Sequence, residues 1–389
     1  HRGHAYQIQQ TKKNLGNGPI SVVMSGSVVQ RGEPAVMDKW TRTEMALSCG
    51  VDLVLELPVV FSCAPAENFA KGSIHIMDAT GCISHLCCGA ECGDIHLIRQ
   101  MASTEETPAF RAALKNALAK GLSYPAAREK AALETNIPIP LSPNDILAVE
   151  YQKALQYYHS EIQPYVLQRK SNFHAVKLET EPFPSATAIR LALKEGNIKS
   201  VLRAIPQEAR TTFLTALEEG KGPVWADSLA DFLHFLLLRQ SADNLTKIFE
   251  VTEGLENRIL SCAQETWQWQ DMIRSIKTKR YTESKIRRIL IHVLLGLEET
   301  ICKQALSAPI PYLRVLGFRK ERSGLLGEIE KKGAAPLLIN PKDAKNILSK
   351  EGMDFFQREC LATDLYQLLS PNPAFRKKYQ DFTHPLIMI

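Results

Sequence analysis

The 389-residue chain reads as an α/β protein, with a Rossmann-like, mostly parallel sheet domain over residues 1–200 and a mostly α-helical domain over residues 201–389. Three observations predict this. In the first half, short β-branched runs alternate with helix-length amphipathic segments, the pattern of a doubly wound sheet. The runs stop at Ser25-Gly26, at Pro58 and at Gly89, and in such sheets ligands bind at the carboxyl ends of the strands. After Gly196 strand signals nearly vanish and broad apolar helical faces take over, which places the boundary near 196–206, with Pro206 as its punctuation.

In chain order, His1-Arg2-Gly3-His4 leads into a helical stretch from Ala5 to Leu15, and a further strand of the sheet is expected upstream of His1. Ile20 to Met24 is a strand candidate, and Thr41 to Gly50 a helix closed by glycine. Val51 to Leu57 reads as a buried strand stopped by Pro58, and Ala66 to Ala79 as a helix ended by Gly81. Ser84 to Cys88 is a third strand running into Gly89. Phe110 to His159 is helical, with Ser142-Pro143-Asn144 as a helix start. Tyr165 to Leu167 is a short strand leading to Arg169 and Lys170, and Pro184 to Arg190 opens another helix. In the second half, Asp227–Arg239, Glu253–Ala263 and Lys285–Leu306 are helical patterns, and only Pro311–Phe318 and Pro336–Ile339 look extended.

Composition narrows the class. A formal charge of +5 permits a nucleic-acid partner without requiring one. No apolar run is long enough to cross a bilayer, so a membrane protein is not expected. Nine cysteines without small-domain disulfide spacing suit a reducing cytoplasm. Cys82, Cys87, Cys88 and Cys92 do not form paired C-x-x-C knuckles, so buried free thiols are expected there and no metal site.

The motif His1-x-Gly3-His4 carries the first chemical signal. A helix N-terminus offers free N–H groups and a positive dipole end, which suit phosphate. Gly3 lets backbone approach the ligand, and two imidazoles can donate hydrogen bonds to phosphate oxygens as charge builds at phosphorus. Ser185 to Arg190 supplies a second such helix start, where Arg190 can neutralise a leaving pyrophosphate. The pair points to a nucleotidyltransferase domain. Gln30-Arg31-Gly32-Glu33-Pro34 and Asp38-Lys39-Trp40 read as a charged loop over the site rim, with Lys39 or Arg31 binding an anionic substrate unless the loop is merely solvated. Gly89 can let an adenine or ribose lie on backbone, and Asn144 can hydrogen-bond a base or sugar. From Arg274 to Arg288, Lys277, Lys279, Arg280, Lys285, Arg287 and Arg288 face one acid, Glu283; this is either a solvated helix face or a phosphate-binding RNA surface with Tyr281 available for stacking.

These residues together resemble the bacterial tRNA(Met) cytidine acetate ligases of the nucleotidyltransferase superfamily. The resemblance rests on His1–His4, Val23–Gly26, Val29–Ala35, Lys39-Trp40, Val51–Pro58, Gly89–Glu91, Pro143–Leu147, Ser185–Arg190 and Tyr281–Leu290, and so spans the chain. Cys88 stands where an aromatic residue is expected. The resemblance implies two steps: acetate attacks the α-phosphorus of ATP, and the wobble cytidine of elongator tRNA(Met) then takes the acetyl group from acetyl-adenylate. It implies that His1 and His4 stabilise the phosphates, with Lys39 as a further catalytic candidate. It also implies that Arg2, Gly3, Gly89, Asn144, Arg169, Lys170, Ser185 and Arg190 complete the ATP site, with Mg2+ accompanying the triphosphate. Two other readings stay open on the residues alone: an adenylyltransferase of the same fold acting on a small cofactor precursor, and a non-catalytic RNA-binding protein with a relic nucleotide fold.

Overall fold

The computed structural model describes residues 1–135, 142–169, 183–252 and 254–389. Its strands are β1 (Ser21–Ser25), β2 (Val28–Val29), β3 (Glu33–Pro34), β4 (Leu53–Leu57), β5 (His85–Ala90), β6 (Gln163–Gln168), β7 (Leu313–Phe318), β8 (Leu337–Leu338) and β9 (Ile387–Met388). β4 is central to the main sheet, and all five of its residues are buried. It pairs in parallel with β1, Val23 opposite Leu55, and antiparallel with β7, Leu53 opposite Phe318. β7 in turn carries β8 and β9, both parallel to it.

This arrangement corrects two expectations. The extended segment at 311–318 belongs to the sheet begun by the first half, so the boundary near residue 200 does not divide the sheet. The largest core crosses it too: Leu53, Leu55 and Leu57 of β4 pack in one cluster with Ile286, Ile289, Leu290, Leu313 and Val315. Burying each such aliphatic side chain contributes about 2 kcal/mol, which makes one core of both halves. The third predicted strand, β5, does not join the sheet of β1 and β4; it pairs in parallel with β6 as a separate ribbon, Gly89 opposite Leu167. β5 alternates buried and more open positions, so it needs cover on one face only, from Ala148 and Val149 of the helix Pro143–Tyr157.

Local chemistry sets the element ends. Helix α1 spans Arg2–Leu15 with His1 at its cap position. Helix α2 spans Lys39–Ser48 and starts where Asp38 accepts from Thr41 N at 2.8 Å and Thr41 Oγ1 at 2.6 Å. Ser142 and Ser185 cap the helices Pro143–Tyr157 and Ala186–Lys194. The helix expected over 285–306 is two helices, Glu283–Leu295 and Glu299–Ser307, because Gly296 takes φ +59 and ends the first. Glu253, expected to open a helix, lies outside the described residues, and that helix runs Leu255–Glu265. Among the described residues no helix is long and apolar enough to cross a membrane.

Candidate functional site

α1 lies along the β5–β6 ribbon: Gln7 Nε2 donates to the Cys87 carbonyl at 2.9 Å, and Asn14 Nδ2 to the Tyr165 hydroxyl at 2.8 Å. Its N-terminus sits by the carboxyl ends of the two strands. There the His1 ring folds back onto His4, with centroids 4.0 Å apart and planes 16° from parallel. Gly3 permits the fold-back, because a Cβ at that position would stand 3.0 Å from the His1 ring. Although the His4 ring keeps solvent contact, the surrounding protein, and then the positive charge of Arg169, lower its pKa and favour the neutral imidazole. Arg2, exposed on the first turn, stands on the same helix start.

Beyond the histidine turn, two predicted site residues, Asn144 and Arg169, converge on Glu91. Asn144 Nδ2 donates to Glu91 Oε1 at 2.6 Å, and Arg169 Nε lies 3.5 Å from the same oxygen. The Ser142 hydroxyl donates to Glu91 Oε2. Arg169 then crosses the face of Gly89, where a Cβ would come within 3.3 Å of its Cγ. The strand ends of β5 and β6 and one helix start thus meet at a single carboxylate, half open to solvent. Glu91 had no role in the sequence reading beyond its place in Gly89-Ala90-Glu91; its position three residues past predicted strand 84–88 was the available signal. Lys170 lies outside the described residues.

The Ser185 helix start approaches from the side. Phe183 packs on Tyr6 of α1 at 4.7 Å between centroids, which brings the entry to this helix beside the histidine turn. Ser185 Oγ accepts from Ala188 N at 3.1 Å, so its hydroxyl serves its own helix while Ala186 and Thr187 stay exposed. Arg190 does not stand open: Nη1 donates to Glu33 Oε2 at 2.6 Å. Arg287 reaches the other oxygen of Glu33, so that carboxylate lies between an arginine from each half. Arg31 of the same loop donates to Thr187 Oγ1 at 3.4 Å.

Lys39 is corrected most. It is not on a rim loop but 1% exposed on the first turn of α2, with Nζ 2.7 Å from both Glu56 of β4 and Asp381 near the C-terminus. Burial opposes its charge, but Asp381, Glu56 and Glu359 more than offset this and raise its pKa. A substrate cannot reach it. Glu359 Oε2 accepts from Val59 N at 2.5 Å, and burial with the neighbouring Glu56 pushes its carboxyl well above the usual range.

The basic stretch divides. Lys277, Lys279 and Arg280 are exposed, Lys277 paired with Glu283 at 2.9 Å. Lys285 lies 4.9 Å over the Tyr281 ring. Tyr281 is 9% exposed and is not available for stacking on a base. Arg288 is held by Glu250 through two bonds of 2.6 Å each, which makes it part of the framework and not an open RNA contact. All nine cysteines are free thiols; Cys88 is buried, whereas Cys82, Cys87 and Cys92 are half-buried. Among the described residues no group of three or more His, Cys, Asp and Glu is placed to hold a metal.

This geometry belongs to a recognised set of proteins. A family model described as HIGH nucleotidyl transferase matches residues 1–381. A tRNA(Met) cytidine acetate ligase of Caldanaerobacter subterraneus subsp. tengcongensis is 39% identical over 100% of this chain and 97% of its own length. One from Acetivibrio thermocellus is 36% identical with the same coverage. The crystal structure of Thermotoga maritima TmcAL bound with alpha-thio ATP superposes with a TM-score of 0.93 at 30% identity, covering 100% of this chain and 96% of that one.

Proposed function

The chain belongs to the HIGH nucleotidyl transferase family and to the tRNA(Met) cytidine acetate ligases within it, and from that membership we propose the reaction it carries out. It is an ATP-dependent ligase. Acetate attacks the α-phosphorus of ATP and pyrophosphate leaves. The N4 amine of the wobble cytidine in elongator tRNA(Met) then attacks the acetyl carbon, giving N4-acetylcytidine and AMP.

The observation that carries this reading is the meeting of the His1–His4 turn with Gly89, Asn144 and Arg169 at one end of the β5–β6 ribbon. Acetate is a weak nucleophile, so the first step depends on in-line placement and on neutralising charge at phosphorus. His1 and His4 are the donors to the phosphates, with Arg2, Gly3 and the α1 amides beside them. Gly89, Asn144, Arg169 and Lys170 hold the nucleotide. Ser185 and Arg190 stand on the side from which pyrophosphate leaves, Arg190 exchanging Glu33 for phosphate. Mg2+ accompanies ATP on its phosphate oxygens. Lys277, Lys279, Arg280 and Lys285 offer the tRNA backbone a positive surface on the helical half, whereas Arg287 is taken up by Glu33 and Gln270. We place the reaction in the cytoplasm, in keeping with nine free thiols.

The test is incubation of the protein with ATP, labelled acetate and total tRNA, followed by nucleoside analysis. Label in N4-acetylcytidine is expected, together with acetate-dependent ATP–pyrophosphate exchange without RNA. No exchange with acetate would reject the ligase. Transfer of AMP to a small molecule without RNA would favour the cofactor-precursor alternative.

A further inference from the structure

We propose that Glu91 is the positioning residue of the nucleotide site: it holds the Asn144 carboxamide with its oxygen toward the ligand and fixes Arg169 across Gly89. The inference rests on the ATP reading above and deepens it. Glu91 is placed to do both at once. Oε1 accepts from Asn144 Nδ2 at 2.6 Å and lies 3.5 Å from Arg169 Nε, while Oε2 accepts from Ser142. The three partners come from a strand end and from a helix start far apart in the chain, so the carboxylate is the only group they share among the described residues.

The orientation of Asn144 follows from hydrogen-bond chemistry. An amide has two donor hydrogens on nitrogen and an acceptor oxygen, and a carboxylate only accepts. With its nitrogen committed to Glu91, Asn144 presents Oδ1 to the open side, where no hydrogen bond reaches it among the described residues. Oδ1 is therefore placed to accept from a donor on the nucleotide, an amino group or a sugar hydroxyl, while the second hydrogen of Nδ2 remains for an acceptor. Arg169 is placed for a second reason: its side chain lies over Gly89 with Nε 3.5 Å from Glu91 Oε1, an ion pair that sets the direction of the guanidinium.

A double-mutant cycle on the whole chain tests this, read as ATP affinity by titration calorimetry, as KM against kcat in acetate-dependent exchange, and as melting temperature. Glu91→Ala and Asn144→Ala are each expected to weaken ATP about tenfold, near 1.4 kcal/mol, through KM more than kcat. The double variant is expected to lose little beyond Glu91→Ala alone, because one acts through the other. Glu91→Gln, which keeps an oxygen for Asn144, is expected to recover most of the affinity. Losses that multiply to about 100-fold, or a Glu91→Gln no better than Glu91→Ala, mark a merely structural carboxylate and overturn the proposal. Glu91→Ala binding ATP within about twofold of the wild type does the same while leaving the ATP reading intact. A wild-type chain that binds no ATP removes that reading, and this inference with it.

Discussion

Two carboxylate-centred clusters, drawn from similar charged stretches, end in opposite roles. At the end of the β5–β6 ribbon, Glu91 gathers Asn144, Ser142 and Arg169 at a half-exposed edge. Inside the main sheet, Glu56, Glu359 and Asp381 gather around Lys39, whose side chain is 0% exposed. The residue types are alike; access is what differs. An open cluster can exchange partners with a ligand, whereas in a closed one every charge must be answered from within the protein. Gly26 shows how closed the second one is, since a Cβ there would collide with both Glu56 and Glu359.

The largest test of that contrast is Lys39→Met. Removing the cation from among three buried carboxylates is expected to cost about 3–5 kcal/mol in urea unfolding. Unchanged stability with lost turnover would put Lys39 at the substrate and erase the distinction. On the open side, His4→Ala is expected to lower acetate-dependent exchange by roughly 10²–10³-fold, with the melting temperature held. Glu359→Gln sharpens the comparison from within. Because the folded carboxyl titrates above its unfolded value, its favourable contribution is complete below the ordinary glutamate range and disappears as pH rises through the folded pKa. The glutamine variant is therefore expected to match or exceed the wild type at neutral pH, by about 1 kcal/mol at most, and to lose that part of the pH slope in urea melts from acid to neutral. Smallest is Lys279→Ala, which is exposed and should weaken tRNA binding only a few-fold, reducing the salt dependence by about one phosphate's worth.

Much of this was legible in the residues, for physical reasons that also mark where legibility ends. Local signals held well: Ser142 and Ser185 cap the helices they were expected to open, and Pro58 ends β4. Gly89, Asn144 and Arg169 each stand at a strand end or helix start, which leaves a local mark, but only the family resemblance joined them in one site. Long-range pairing leaves none. Leu313–Phe318 reads as an isolated extended run because nothing nearby says that it lies antiparallel to β4. Lys39 read as a rim residue open to an anionic substrate because its partners Glu56, Glu359 and Asp381 lie elsewhere in the chain. Arg288 and Tyr281 looked available for RNA because their burial is a property of packing against Glu250 and Thr252, which charge density alone does not reveal.

The late arrival of β7 has a consequence for biosynthesis. Until residues 313–318 have been translated, β4 has β1 on one side and an unpaired row of amides on the other. Lys39 has Glu56 of β4 beside it from the start and gains its second carboxylate when Asp381 is made. Until β7 is made, the nascent polypeptide carries an open apolar strand edge, the kind of surface through which unfinished chains associate. Arrival of β7 closes that edge.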